Sequence, residues 1–271
     1  LMWRSACFGI KHMGSHFSRV MDIILGDLPN CYVYIDDVIL VTRENDMEKH
    51  FELVRTAIER LTAAKMILNE EKAHIGKSCV VILGQILSRQ GRSVCPERLA
   101  NVHEWDYPKT GKELQRTLGV FNYMREHRPL ASRVTWRLDA LRNIGDKAVI
   151  PWNQELKDDF DSIKKILTSN IVLSPPDFSK PLFVACDASA HAIGAVLFQN
   201  DVYQEVDRNE SNGITTIVKM KYIGFHSRAL TDCETRWPVH RRELLAVVFA
   251  LRKFHQFLYA RHFTIQTDHR S

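Results

Sequence analysis

Two adjacent aspartates, Asp36 and Asp37, lie between the short β-rich runs Cys31 to Tyr34 and Val38 to Val41. Like charges this close repel and each carboxylate resists desolvation, so the pair needs a stabilising partner. A divalent cation meets that need, because Mg²⁺ takes one or two carboxylates and fills the rest of its shell with water and substrate phosphates. The same dipeptide also fills tight turns, where Asp is common, and the pair alone leaves both readings open. Three more acids stand further on. Asp187 ends the apolar run Leu182 to Cys186, and Asp268 closes the run His262 to Thr267. Between them, Glu243 shares a helical stripe with Val247, Ala250, Leu251, Phe254 and Leu258, the face expected to meet a sheet. Acids are seldom buried unpaired, although a glutamate at the stripe's edge is tolerated. Taken together, Asp187, Glu243 and Asp268 form a constellation suited to metal ligation.

The elements that must hold these acids can be read from periodicity. Phe17, Val20, Met21, Ile24 and Leu25 predict a helix over 12–28, broken by Pro29-Asn30. A hairpin with Asp36 and Asp37 at its tip follows, then a helix capped by Asp46 with an apolar stripe of Phe51, Val54, Ile58 and Leu61. Val80 to Leu83 and Ser93-Val94 predict a second hairpin around Gln90-Gly91-Arg92. Pro96 to about Asn143 reads as helical, and a short helix over 155–169 follows. The Pro-rich stretch 174–177 places the main boundary near 175. Beyond it come strands at 181–186, 193–199 and 221–226, a long helix over 237–259 and a strand at 262–267. The segment 200–218 reads as a loop or a long hairpin tip. The order βββαβ is an α/β layout with one helix across a mixed sheet. If the first and fourth strands are neighbours, the helix lies across them and the three acids converge.

At 271 residues, with 45% apolar and 25% charged residues, the chain is folded material of one large or two modest domains. Those figures exclude a peptide hormone, a small stapled scaffold and a disordered chain. The net charge of +5 is compatible with a polyanionic partner and common in ordinary proteins. The longest clean apolar run, Leu244 to Leu251, falls far short of the roughly 20 residues a helical membrane span needs. Six scattered cysteines suggest neither a zinc site nor a disulfide framework, and a reducing compartment is the default. Gly76-Lys77-Ser78 fails as a phosphate-binding loop because Glu71 stands where the first glycine belongs. Arg241-Arg242 and Arg252-Lys253 read as a solvated helix face.

Cys31-Tyr32-Val33-Tyr34-Ile35-Asp36-Asp37-Val38-Ile39-Leu40 resembles the Tyr-x-Asp-Asp box of reverse transcriptases, in particular the Pol polyprotein of gypsy-type LTR retrotransposons. Phe8-Gly9-Ile10 with Phe17 and Met21 is similar to the preceding palm helix motif. Leu68-Asn69 with Lys72, Leu83-Gly84 and Gly91 resemble the later palm and the primer-grip hairpin. Trp105 with Pro108, and Leu118-Gly119 with Tyr123, resemble the thumb and connection. Asp187-Ala188-Ser189, Gly194 to Leu197, Ser227-Arg228, Glu243 to Ala246 and Thr267-Asp268-His269 are similar to the RNase H domain of the same polyprotein. Cys7 stands where the family usually has Pro, and its Asn-Ala-Pro is absent near His12-Met13-Gly14.

The resemblance implies a reverse transcriptase palm (C-terminal part) over 1–95, a helical thumb and connection over 96–175, and a truncated RNase H-like domain over 176–271. It implies RNA-directed DNA synthesis on an RNA template and DNA primer, and hydrolysis of the RNA strand of an RNA/DNA hybrid. Asp36 and Asp37 would serve one Mg²⁺ site, with Tyr34 against nucleic acid or in the strand interior, and Asp187, Glu243 and Asp268 the other. Each site would take two Mg²⁺ ions, with Mn²⁺ as substitute. The third palm acid is expected before Leu1, and the fourth nuclease acid and closing elements after Ser271, so the chain is expected to be part of a longer polypeptide. Homodimers or association with other Pol domains, and a setting in a cytoplasmic particle or nucleus, belong to the same expectation. The alternative is a catalytically inactive relic that binds nucleic acid or a partner.

Overall fold

The computed structural model describes residues 11–42, 46–129, 131–169, 171–206 and 214–267, with the backbone alone for 202–206 and 214–217. The chain forms two compact units, 1–78 and 79–271, so the expected boundaries at 95 and 175 both fall inside the second.

In the first unit, α1 (Met13–Leu25) buries Met21 and Leu25 and adds Phe17 and Ile24 at helical spacing. The antiparallel hairpin β1 (Cys31–Tyr34) and β2 (Asp37–Leu40) contributes Cys31, Val33, Val38 and Leu40 to the same core. α2 (Met47–Ala63) starts at Asp46, whose carboxylate accepts the backbone N–H groups of Glu48 and Lys49. It ends in a Schellman motif: Lys65 takes φ 60°, and the N–H groups of Lys65 and Met66 return to the carbonyls of Thr62 and Leu61. The expected stripe of α2 is rotated. Phe51 and Ile58 are exposed, and Leu53, Ala57 and Leu61, spaced four apart, make the contact. The small Ala57 admits close approach to the core residues Met21 and Leu25, which periodicity alone does not weigh. Arg60 then reaches Asp27 and the Ile24 carbonyl, tying α2 to the end of α1.

The second unit opens with a three-stranded meander, not the expected hairpin. β3 (Cys79–Ile82), β4 (Gln85–Ser88) and β5 (Gly91–Val94) pair in order. Leu83 at φ 49° and Gly84 at φ 74° supply the paired positive dihedrals of a tight hairpin turn, the extra reversal that the sequence reading missed. The helical region that follows is broken: single 3₁₀ turns at 96–98, 102–104 and 125–127 punctuate α3 (Gly111–Tyr123) and α4 (Ala131–Ala140). α5 (Gln154–Thr168) packs on α4, and Leu114, Leu118, Phe121, Leu138, Phe160, Ile163 and Leu167 share one core.

The remaining elements are β6 (Leu182–Ala188), β7 (Ala192–Val206), β8 (Ile214–Ala229), α6 (Asp232–Thr235), α7 (Val239–Lys253), α8 (His255–Leu258) and β9 (Phe263–Gln266). The sheet order is β8-β7-β6-β9 with β9 parallel to β6, so the first and fourth strands are neighbours. The expected long helix is divided, with Pro238 before α7 and buried Phe254 between α7 and α8. Of the segment 200–218, residues 200–206 and 214–218 are paired strand: β7 and β8 stay in register out to Val206↔Ile214, well past the last β6–β7 pair, Phe183↔Phe198, and the expected tip, 207–213, lies outside the described residues. Val202, Val206, Ile214, Thr215, Thr216 and Ile217 give that ribbon its β-branched character. α7 packs on β6 and β7, where Leu182, Val184, Cys186, Ala195 and Leu197 meet Ala246 and Ala250. α4 contacts β7 and β8 from the other face.

Candidate functional site

The first acidic pair lies at a two-residue reversal. Tyr34 pairs with Asp37 at the end of the β1–β2 ladder, and Ile35-Asp36 makes the turn. Ile35 has φ 55°, an unusual conformation for a β-branched residue and one that costs on the order of 1–3 kcal/mol. A positive φ at the first turn residue and not at the second is the II′ pattern, whose twist suits a hairpin. Asp36 therefore sits in the turn while Asp37 begins β2, and both side chains are exposed. Strand alternation sends Cys31 and Val33 to the core and leaves Tyr32 and Tyr34 on the open face. Tyr34 is not an interior strand residue. Lys72 is exposed in a 3₁₀ turn capped by Asn69.

Of the second group, Asp187 lies in β6 and Glu243 in α7. Alternation puts Cys186 in the core, where burial and then the charge of Glu243 push its thiol up to about 11. Glu243 is 6% exposed on the stripe it shares with Ala246 and Ala250, as its spacing predicts. Asp187, one residue past Cys186, points to the opposite face and is about half exposed. There it lines a small cleft with its cross-strand partner Gly194, with Ser227, which pairs with Gly194 on the next strand, and with Ser189 and Arg133. The loop after Asp187 is fastened to α7. Ser189 Oγ accepts the N–H of Ala192 at 2.9 Å, and the Ser189 carbonyl accepts Arg242 Nη1 at 2.8 Å. Arg242, expected on a solvated face, is thus a tether between the residue next to Glu243 and the loop next to Asp187.

Asp268 lies outside the described residues, as do His269, Cys7 and Phe8-Gly9-Ile10. Among the described residues, no group of three or more His, Cys, Asp or Glu side chains stands in a metal-binding arrangement. The donor chemistry of the two described acids fits a hard divalent cation, since both offer carboxylate oxygens. The sequence reading missed Arg133, whose Nη2 stands 3.8 Å from Asp187 Oδ2. An exposed-looking arginine on a separate helix carries no periodic or motif signal toward an acid 54 positions away.

Comparison with known proteins matches two segments of the chain to described families. Residues 2–87 match the family described as reverse transcriptase (RNA-dependent DNA polymerase), and residues 177–271 match the RNase H-like domain found in reverse transcriptase. The chain is 32% identical to the retrovirus-related Pol polyprotein from transposon gypsy of Drosophila melanogaster, with 97% of this chain and 24% of that protein covered. It is 30% identical to the transposon Tf2-3 polyprotein of Schizosaccharomyces pombe, over 97% of this chain and 19% of that one. The chain thus spans about a quarter or less of these relatives. Its fold is similar to foamy viral protease-reverse transcriptase in complex with dsDNA, with TM-score 0.78, 22% identity, and 99% of this chain and 52% of that one covered. The same viral protein in complex with RNA/DNA hybrid gives 0.77 at 22% identity, over 99% of this chain and 34% of that one. By these matches the chain belongs with the retrotransposon Pol polyproteins, its residues 2–87 matching reverse transcriptase and its residues 177–271 matching the RNase H-like domain found in reverse transcriptase.

Proposed function

We propose that this chain is the part of a retrotransposon Pol protein that carries carboxylates for RNA-directed DNA synthesis and for hydrolysis of RNA in RNA/DNA hybrids. The substrates are an RNA template, a DNA primer and the hybrid they yield. The observation that carries the reading is Glu243, an acid kept on the buried face of α7 and tethered through Arg242 to the loop that follows Asp187. A helix whose only task was packing would place an apolar residue there.

Asp187, Glu243 and Asp268 hold divalent cations at the hydrolytic site, and Asp36 and Asp37 do so at the polymerase site. Bound Mg²⁺ supplies an acidified attacking hydroxyl and charge neutralisation at the leaving oxygen. The Ile35-Asp36 turn leaves the Asp36 side chain exposed at the hairpin tip, where its carboxylate would hold a cation that also meets a substrate phosphate. Tyr32 and Tyr34 on the open hairpin face offer flat surfaces to the sugar and base of a bound strand. Choice of hybrid over duplex DNA rests on minor-groove shape and 2′-hydroxyl contacts.

The test is cleavage of a labelled RNA/DNA hybrid by this chain in Mg²⁺ and in Mn²⁺, beside Asp187→Asn and Glu243→Gln. Cleavage that both substitutions abolish, with melting temperatures unchanged, is expected. Cleavage that survives both would remove these acids from the reaction.

A further inference from the structure

α4 is fastened to the RNase H-like sheet on the face opposite α7. The backbone N–H and the hydroxyl of Ser132 meet Ser227 Oγ at 3.1 and 3.0 Å. Trp136 stacks on His191, in the loop after β6, with ring centroids 3.9 Å apart and planes 8° from parallel. Its neighbour Arg137 lies against the same indole, 4.7 Å from the ring centroid. Trp136 lies three positions from Arg133 and Ser132 precedes it, so these contacts fix α4 on the sheet on either side of Arg133. Its guanidinium then meets Asp187 at 3.8 Å.

A guanidinium and a divalent cation cannot share one carboxylate without strong like-charge repulsion. We propose that Arg133 is a resident counter-ion that competes with the divalent cation for Asp187, so that α4 gates loading of the hydrolytic site. The anion suited to draw Arg133 away is a backbone phosphate of bound nucleic acid, which accepts a guanidinium fork as well as a carboxylate does. Nucleic acid and cation then bind with positive coupling through this one side chain. The inference rests on Asp187 and Glu243 being cation ligands.

Mn²⁺ binding to the whole chain, followed by electron paramagnetic resonance without any turnover, tests it. An Asp36→Asn/Asp37→Asn background removes the hairpin carboxylates from the signal. Arg133→Ala and the gentler Arg133→Gln are expected to tighten Mn²⁺ by about two- to five-fold, the range that loss of a half-exposed ion pair allows. A non-cleavable DNA duplex is expected to tighten Mn²⁺ in the arginine parent and to leave the Arg133 variants unchanged. Unaltered Mn²⁺ affinity in both Arg133 variants, with Asp187→Asn still abolishing binding, would overturn the gate and leave the ligand assignment standing. Binding that persists in Asp187→Asn would instead overturn the assignment itself.

Discussion

Arg228, near the end of β8, and Glu234, in α6, form a two-pronged ion pair with Nη1–Oε2 at 2.7 Å and Nη2–Oε1 at 2.8 Å. The same carboxylate accepts the Thr231 N–H at 2.8 Å, and Thr231 Oγ1 accepts the Glu234 N–H, completing a capping box. The Arg228 guanidinium, with help from Thr231, holds the Glu234 carboxyl down to about 2. The pair thus turns the chain from β8 into the helices that carry Glu243.

Replacing Glu234 by Gln keeps the shape and removes the charge, so a loss of about 1–3 kcal/mol is expected in urea denaturation at pH 7. The sign of the pH effect follows from a depressed carboxyl. Its stabilisation is complete above pH 4.5, the ordinary value, and is lost as pH falls toward 2. The gap between parent and variant should close across that window, and a constant gap would show that charge is not its source.

His127 is 1% exposed, with neither ring nitrogen hydrogen-bonded. Burial, and then the charges of Arg92 and Arg128, lower it to about 4. The unfolded chain takes up a proton near pH 6.5 while the folded chain refuses it until about 4, so stability falls as pH falls through this range. The loss is on the order of 3 kcal/mol. His226 is lowered by burial as well, so the parent's pH profile contains both. His127→Leu should remove one of the two contributions, leaving a flatter stability curve between pH 6.5 and 4. Equal slopes in the two proteins would place the titration elsewhere.

Gly91 has φ 137° and sits where the chain passes Leu173 at the closest possible range. A Cβ there would lie 2.0 Å from the Leu173 carbonyl oxygen. That carbonyl accepts the Arg92 N–H at 2.8 Å, and the Leu173 N–H returns to the Arg92 carbonyl at 2.8 Å. Gly91→Ala must break this bridge or distort it. A loss of at least about 2 kcal/mol is expected in the thermal unfolding of the 79–271 unit. An unchanged melting temperature would show that the bridge is dispensable.

Arg128, 1% exposed, caps α5 from outside. Its Nη2 donates to the Leu167 carbonyl at 2.8 Å and its Nη1 to Ser169 Oγ at 3.0 Å, satisfying groups that a helix end leaves open. A lysine keeps the charge and loses the fork. Arg128→Lys is expected to cost about 1–3 kcal/mol and Arg128→Ala more, because buried carbonyls then lose their partner. Guanidinium chloride titration of both checks the order, and a Lys variant as stable as the parent would show that charge alone suffices.

Local order was legible wherever one segment decides its own conformation. Asp46 announces α2 because its carboxylate bonds N–H groups two and three residues on, and Cys31 to Leu40 announces a hairpin because its β-branched and aromatic runs flank a short polar break. Glu243 could be placed on the buried face from spacing alone, since helical period ties it to Ala250 and Phe254. The α2 stripe went astray because Phe51 and Ile58 are as apolar as the residues that pack. Only the partner α1 selects the small Ala57 for the contact.

By itself the sequence determined the candidate acids, the hairpin of Asp36 and Asp37, the strand of Asp187, the helix of Glu243 and the family, because these depend on residue type and on periods of a few positions. Tertiary structure decided which face of β6 Asp187 shares with which neighbour. It brought Arg133 against Asp187 and fastened Arg242 to Ser189, contacts between residues 53 and 54 positions apart in the chain. The physical reason is that an ion pair between distant segments leaves no periodic trace: its energy depends on two helices docking on one sheet, and neither helix encodes that docking alone.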